Sequence, residues 1–184
     1  YRMILVTGAS GFLGAAVLRE ARRRGKPVRA MIRPGSPREL MGDLPEDAVA
    51  VADMTAPESL ARAVRGASAV IHCAATTSSS APDLEKSRLV NVEGTRRLLE
   101  ACAREGVRRF VNISSQSAHK KNPSVYGRTK MEQDEVVRQS AGVDWTILKP
   151  SIIYGPRSRG IFDKMVEHCR KLPVIPVIGS GREP

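Results

Sequence analysis

Tyr126-Gly127-Arg128-Thr129-Lys130 sets a phenol and an ammonium four residues apart. On a helix, residues at that spacing share one face. An ammonium beside a phenol favours the phenolate and lowers a pKa that starts at about 10. The phenol can then exchange protons near neutral pH, as general acid–base chemistry requires. Tyr-x-x-x-Lys is a common pattern that mostly marks an ordinary helix surface. Its context strengthens it here, because an apolar run ending in Ser114-Ser115 precedes it by about ten residues.

A second constellation lies near the N-terminus. Gly8, Gly11 and Gly14 fall in the stretch Gly8-Ala9-Ser10-Gly11-Phe12-Leu13-Gly14, between an apolar run and a helical pattern. The first glycine permits a tight turn, the second lets backbone approach a pyrophosphate, and the third allows close helix–strand packing. The helix N-terminus then offers free N–H groups and a positive dipole end to phosphates. The expected ligand is a nicotinamide dinucleotide. An acidic residue about 20 positions on would bind the ribose of NAD, but no Asp or Glu lies between Lys26 and Arg38. Arg33 stands there instead, and a guanidinium can stack on adenine and pair with a 2′-phosphate. NADP(H) is therefore favoured, with NAD(H) as the alternative and Arg33 then a solvated strand end.

The elements that must position these groups alternate. Strands are expected at Met3–Val6, Val28–Ile32, Ala48–Ala52, Ala69–His72, Val107–Ile113 and Val143–Leu148. Helices are expected at Leu13–Arg24, Pro57–Arg65, Leu84–Arg104, Ser124–Ser140 and Arg159–Lys171. Gly25, Gly66, Gly106 and Gly142 stand just past four of them, as helix stops do. Alternating strands and helices imply a Rossmann-type α/β fold with a doubly wound parallel sheet. The strands read as apolar on both faces, as a sheet covered by helices requires. Residues 1–156 form the expected dinucleotide-binding domain. Residues 157–184 read as the start of a substrate-binding region, most of which is missing, because the Pro- and Gly-rich tail Leu172–Pro184 ends without a closing element.

The chain has 184 residues, 41% of them hydrophobic and 27% charged, which is ordinary for one soluble domain. No apolar run approaches the roughly 20 residues of a membrane span. No signal peptide precedes the first strand, so cytoplasmic location is expected. Cys73, Cys102 and Cys169 show neither metal spacing nor a disulfide framework, and no metal site is assigned. The net charge of +11 raises nucleic acid as a partner. The arginines are dispersed and no aromatic residues interleave for base stacking, so an anionic cofactor and solubility account for the charge better. A small-molecule substrate is the expected partner, and a homodimer is left open.

With Thr7 in front, the Gly-x-x-Gly-x-x-Gly spacing resembles the short-chain dehydrogenase/reductase superfamily, in its extended or atypical branch. The resemblance covers nearly the whole chain. It implies that the second serine of the pair, Ser115, hydrogen-bonds the substrate oxygen, with Ser114 the close alternative. It also implies that Tyr126 is the acid–base and that Lys130 is its activator, reaching the ribose. His72-Cys73-Ala74-Ala75 looks like the family's HxAA segment, lying against ribose and phosphates, with His72 a strand-end residue. Asp53-Met54 would meet the adenine, with a cap on the following helix as the alternative role of Asp53. Asn91 matches a structural or water-holding asparagine. Lys149-Pro150-Ser151-Ile152-Ile153-Tyr154-Gly155-Pro156 resembles the family's RPxxVYGP segment, with Lys149 for Arg and with Pro150 and Ser151 bordering the nicotinamide. Only ten residues separate Ser115 from Tyr126. This short polar gap, with His119, Lys120, Lys121 and Asn122, looks more like the group related to the complex I accessory subunit than like sugar epimerases. The implied activity is hydride transfer between a nicotinamide and a carbonyl or secondary alcohol, as an oxidoreductase, epimerase or dehydratase. The alternative is a cofactor-loaded accessory or redox-sensing module without turnover.

Overall fold

The computed structural model describes residues 3–77, 83–119, 121, 123–158 and 161–171. The expected tail Leu172–Pro184, the helix start at Arg159, and Lys120 and Asn122 lie outside the described residues. The chain divides into two compact units, Tyr1–Ser151 and Ile152–Pro184.

The first unit holds a six-stranded parallel sheet. Its strands are β1 (Met3–Thr7), β2 (Val28–Ile32), β3 (Val49–Val51), β4 (Ala67–His72), β5 (Arg109–Ile113) and β6 (Asp144–Leu148), in the order β3-β2-β1-β4-β5-β6. Alternate residues of β1 feed two cores on opposite faces. Leu5 joins Leu60, Val70, Leu98, Phe110 and Val137, whereas Val6 joins Leu18, Ala30, Ile32 and Met41. Helices α1 (Phe12–Arg23), α2 (Pro57–Val64), α3 (Leu84–Arg88), α4 (Gly94–Arg104) and α5 (Val125–Arg138) cover the sheet. The strand order reverses between β1 and β4, and ligands of such sheets bind beyond the carboxyl ends of the strands at that crevice.

Two expectations change. The single helix over Leu84–Arg104 is interrupted by a π turn, Leu89–Glu93, between α3 and α4. Thr95 Oγ1 donates back to the Asn91 carbonyl at 2.7 Å, a side-chain bond of the kind that bends helices. The expectation that every strand is buried on both faces fails at β6, where Asp144, Trp145, Thr146 and Leu148 are exposed and Ile147 is half-buried. Its only sheet neighbour among the described residues is β5.

The second unit contains α6 (Ile161–Lys171). Tyr154 and Phe162 stack there with ring centroids 4.6 Å apart, and the Ser158 hydroxyl donates to Asp163.

Candidate active site

At two positions of the glycine turn, Gly8 and Gly14, no side chain fits. Gly8 has φ +63°, and a Cβ there would lie 2.8 Å from the backbone of Ala74. A Cβ on Gly14 would lie 2.2 Å from the Gly8 carbonyl oxygen. Gly11 caps α1 in extended backbone with no side-chain hydrogen bond, and no acidic residue occupies the first turn. The leading N–H groups of α1 are thus left to an external acceptor beside a backbone cradle. This suits a pyrophosphate. Ser10, Phe12 and Leu13 are half-buried around the turn, and Cys73, Ala74 and Ala75 are half-buried after β4, across the same crevice. Burial pushes the Cys73 thiol up to about 12, so it is inert as a nucleophile.

Arg33 is exposed at the end of β2, in a turn closed by the Ser36 N–H on the Arg33 carbonyl at 3.1 Å. Asp53 Oδ1 accepts from both the backbone N–H and the hydroxyl of Thr55, each at 2.7 Å, which holds its carboxyl low. Arg33 lowers it further. The cap of α2 is Ala56, so Asp53 does not cap that helix. The Met54 side chain is buried against Gly94, where an added Cβ would come within 2.8 Å of it.

The second half of the site comes from β5 and α5. Ser124 caps α5 by accepting the Gly127 N–H at 3.2 Å, which starts the helix at Val125, one residue before Tyr126. The Ser115 side chain acts on the Tyr126 phenol, pulling its pKa down against the larger rise that burial causes. Ser115 Oγ also accepts the Ser117 N–H at 3.1 Å. Ser114 is different: it is buried, and its Oγ has no hydrogen-bond partner. Of the two serines left open by the sequence, Ser115 is the one that meets Tyr126.

Lys130 is only 2% exposed. Its Nζ donates to the Ile113 carbonyl at 2.6 Å and to Gln133 Oε1 at 2.7 Å, and it lies 6.0 Å from the centre of the Tyr126 ring. Burial lowers its pKa to about 8, against an opposing pull from the Asp134 charge. The expected lowering of the phenol by Lys130 does not occur in this geometry. Burial raises Tyr126, and the Ser115 side chain pulls it partly back. Two N–H groups of the Lys130 ammonium are taken by the Ile113 carbonyl and by Gln133 Oε1.

Thr95, Asn112, Thr129, Gln133 and Asp134 belong to this site but were not singled out in the sequence, and they bond to residues that were, such as His72, Asn91 and Lys130. Register places Thr7, His72 and Asn112 in one row across β1, β4 and β5. His72 is buried between Thr7 Oγ1, 2.7 Å from Nδ1, and Thr95 Oγ1, 2.9 Å from Nε2. Asn91 Nδ2 donates to the Thr76 carbonyl and to Thr129 Oγ1, both at 3.0 Å, and Asn91 Oδ1 accepts the Thr76 N–H at 2.8 Å. Lys149 Nζ sits 2.9 Å from the buried Asp134 Oδ2, an ion pair that lacks hydrogen-bond geometry, and 3.0 Å from His119 Nε2. Asn112 Nδ2 donates to Asp134 Oδ1 at 3.2 Å. One signal was available for these: Thr129, Lys130, Gln133 and Asp134 follow Tyr126 at helical spacing, which makes the buried face of α5 polar. Pro150 is half-buried, its carbonyl accepts the Gln116 N–H at 3.0 Å, and Ser151 is exposed.

Residues 4–183 match the model of the NAD dependent epimerase/dehydratase family. The chain is 36% identical over 170 residues to sterol demethylase protein B of Methylococcus capsulatus, covering 83% of this chain and 52% of that protein. It is 32% identical over 181 residues to a ceramide reductase of Caulobacter vibrioides, covering 97% of this chain and 54% of that protein. A short-chain dehydrogenase/reductase superfamily protein from Agrobacterium tumefaciens, solved with bound NAD, superposes with a TM-score of 0.69 at 36% identity, covering 80% of this chain and 48% of that one. The chain thus spans about half the length of the relatives it matches. It belongs to the NAD dependent epimerase/dehydratase family, within the short-chain dehydrogenase/reductase superfamily.

Proposed function

We propose that this member of the NAD dependent epimerase/dehydratase family is a dinucleotide-dependent oxidoreductase or epimerase-like enzyme acting on a carbonyl or secondary alcohol of a small molecule. The observation that carries the reading is the Ser115 side chain acting on the Tyr126 phenol, on the helix that carries an anchored Lys130. The dinucleotide, when bound, supplies or takes up the hydride. The backbone of Gly8, Ser10, Gly11, Phe12, Leu13 and Gly14 holds its pyrophosphate. Arg33, Asp53 and Met54 border the adenosine end, Cys73, Ala74 and Ala75 lie against ribose and phosphates, and Pro150 and Ser151 border the nicotinamide. Ser115 orients the substrate oxygen. Tyr126 gives that oxygen a proton in reduction and removes it in oxidation. With its pKa raised by burial, the phenol keeps its proton at neutral pH and suits the donor role. Lys130 has one N–H beyond its two intramolecular bonds, free to meet a ribose hydroxyl.

NADP(H) over NAD(H) belongs to the same proposal and rests on Arg33. The proposal also includes the assignment of residues 1–156 to the dinucleotide and 157–184 to the start of a substrate region, a cytoplasmic location, and a small-molecule partner rather than nucleic acid, with a homodimer left open. Fluorescence titration with NADPH and NADH tests the cofactor. NADPH is expected to bind more tightly, and Arg33→Ala to erase about tenfold or more of that advantage. A preference for NADH overturns the role of Arg33. Carbonyl and alcohol panels that include sterol- and ceramide-like compounds test turnover. Tyr126→Phe is expected to leave dinucleotide affinity nearly intact and to remove turnover. Full activity in that variant overturns the mechanism, and tight binding without turnover across the panels favours the accessory module.

A further inference from the structure

We propose that Gln133 is a positioning residue for Lys130, the last link of a buried hydrogen-bond chain that runs from the strand beneath the glycine turn to the active-site ammonium. This rests on the reading of Lys130 as part of the active site.

The direction of every bond in the chain is determined. An ammonium only donates, so Gln133 must offer its oxygen to Lys130, 2.7 Å away. The Gln133 amide nitrogen is thereby turned to Thr95 Oγ1, at 2.8 Å. Thr95 has one hydroxyl proton, which goes to the Asn91 carbonyl at 2.7 Å. Its oxygen therefore accepts at 2.9 Å from His72, which must carry its proton on Nε2. His72 Nδ1 is then an acceptor and takes the Thr7 hydroxyl at 2.7 Å. Thr7 Oγ1 in turn accepts the Ala74 N–H at 3.2 Å. Thr7 precedes the glycine turn, and Ala74 is the residue packed against Gly8. A single dry path thus ties the phosphate cradle to Lys130. Every side chain on it is buried.

An amide suits the last link better than a carboxylate. The charged and titratable groups around Lys130 are Asp134 and Tyr126 from α5, His72 from β4, Cys73 just after it, and Lys149 after β6. Asp134 is committed to Lys149 and to Asn112. Gln133 takes an N–H from Lys130 without adding charge, so the ammonium is held in place while its proton stays labile.

Wild-type chain, Gln133→Glu and Gln133→Leu, each labelled with 13C at lysine Cε, test this in the absence of dinucleotide and substrate. Lys130→Arg assigns the signal. The wild-type midpoint is expected near 8. Glu at 133 places a carboxylate where the amide oxygen was and is expected to raise the midpoint by about one pH unit or more. Leu at 133 is expected to weaken NADPH binding about tenfold or more. A Lys130 midpoint unchanged in Gln133→Glu overturns the proposal, and that variant decides the matter if Gln133→Leu fails to fold. A His72 proton found on Nδ1 by 15N spectroscopy also overturns it. A midpoint that moves in a chain that never turns over upholds the role of Gln133 and removes the oxidoreductase reading instead.

Discussion

Gly14 illustrates how much a single atom decides at the residue scale. A methyl group there would meet the Gly8 carbonyl oxygen at 2.2 Å, well inside contact distance and against rigid backbone. Gly14→Ala is therefore expected to push α1 off the turn and abolish dinucleotide binding in fluorescence titration, whereas Gly25→Ala, with open space around it, is strained only by its positive φ and should leave binding intact. His72 yields a pH prediction. Burial, reinforced by the Lys130 charge, depresses it from 6.5 to about 3. The unfolded chain therefore takes up a proton below pH 6.5 that the native chain refuses until about pH 3. Stability is unaffected by this group above pH 6.5 and falls as pH drops through that window, by about 2 kcal/mol between pH 6.5 and 5. Urea denaturation of wild type and His72→Gln should show a shallower pH dependence in the variant, and equal slopes would contradict the assignment. Tyr126, Lys130 and Ser115 were legible because their types carry their chemistry. Gln133 and Thr95 were not, because an amide or a hydroxyl has no distinctive role until its partners are known.

Element α5 carries most of the site, and its polar inner face takes its partners from β5, from the π turn and α4, and from the segment after β6. Asp134 is the exacting one: a carboxylate 1% exposed, held by Lys149 and Asn112. Removing one partner of a buried ion pair strands the other charge and costs about 3–5 kcal/mol. Lys149→Met should destabilise the chain by that order in thermal or urea unfolding, and Lys149→Arg should restore most of it. A loss under about 1 kcal/mol would show that solvent reaches Asp134 after all. The segment after β6 thus reads as a clamp on α5. The sequence showed Lys149 only as a departure from a family pattern. The interruption of the long helix at Leu89–Glu93 was invisible for a related reason. The hydrophobic period runs through it, and what opens the turn is a set of bonds from Asn91 and Thr95 to groups remote in sequence or a turn away.

At the scale of the whole molecule, parallel topology sorts charge as well as ligands. It sends the helix C-termini of the first unit to the sheet end opposite the glycine turn, and those last turns carry Arg22, Arg23, Arg62, Arg104 and Arg138. Basic residues there offset the negative ends of the helix dipoles, which accounts for part of the +11 charge without a polyanion. Two cavities of about 360 and 450 Å³ lie there, one beside Arg29, Arg62 and Arg65 and the other beside Lys26, Arg108 and Arg109, away from the active site. Amide hydrogen exchange should follow the sheet order. Protection is expected to be greatest in β1 and β4, buried between neighbours, and least in β3 and in β6, whose face is open. Protection in β6 equal to that in β1 would show that its exposed face is covered in solution. The sequence alone determined the strand–helix alternation, the glycine cradle and the Tyr126–Lys130 face, because each depends on local spacing and residue type. Only the tertiary structure decided that Ser115 rather than Ser114 meets the phenol. It alone made burial, not Lys130, the main influence on Tyr126, and it alone joined Thr7, His72, Thr95 and Gln133 into one path. These outcomes depend on register, burial and the exhaustion of donors, which exist only once distant strands and helices are packed together.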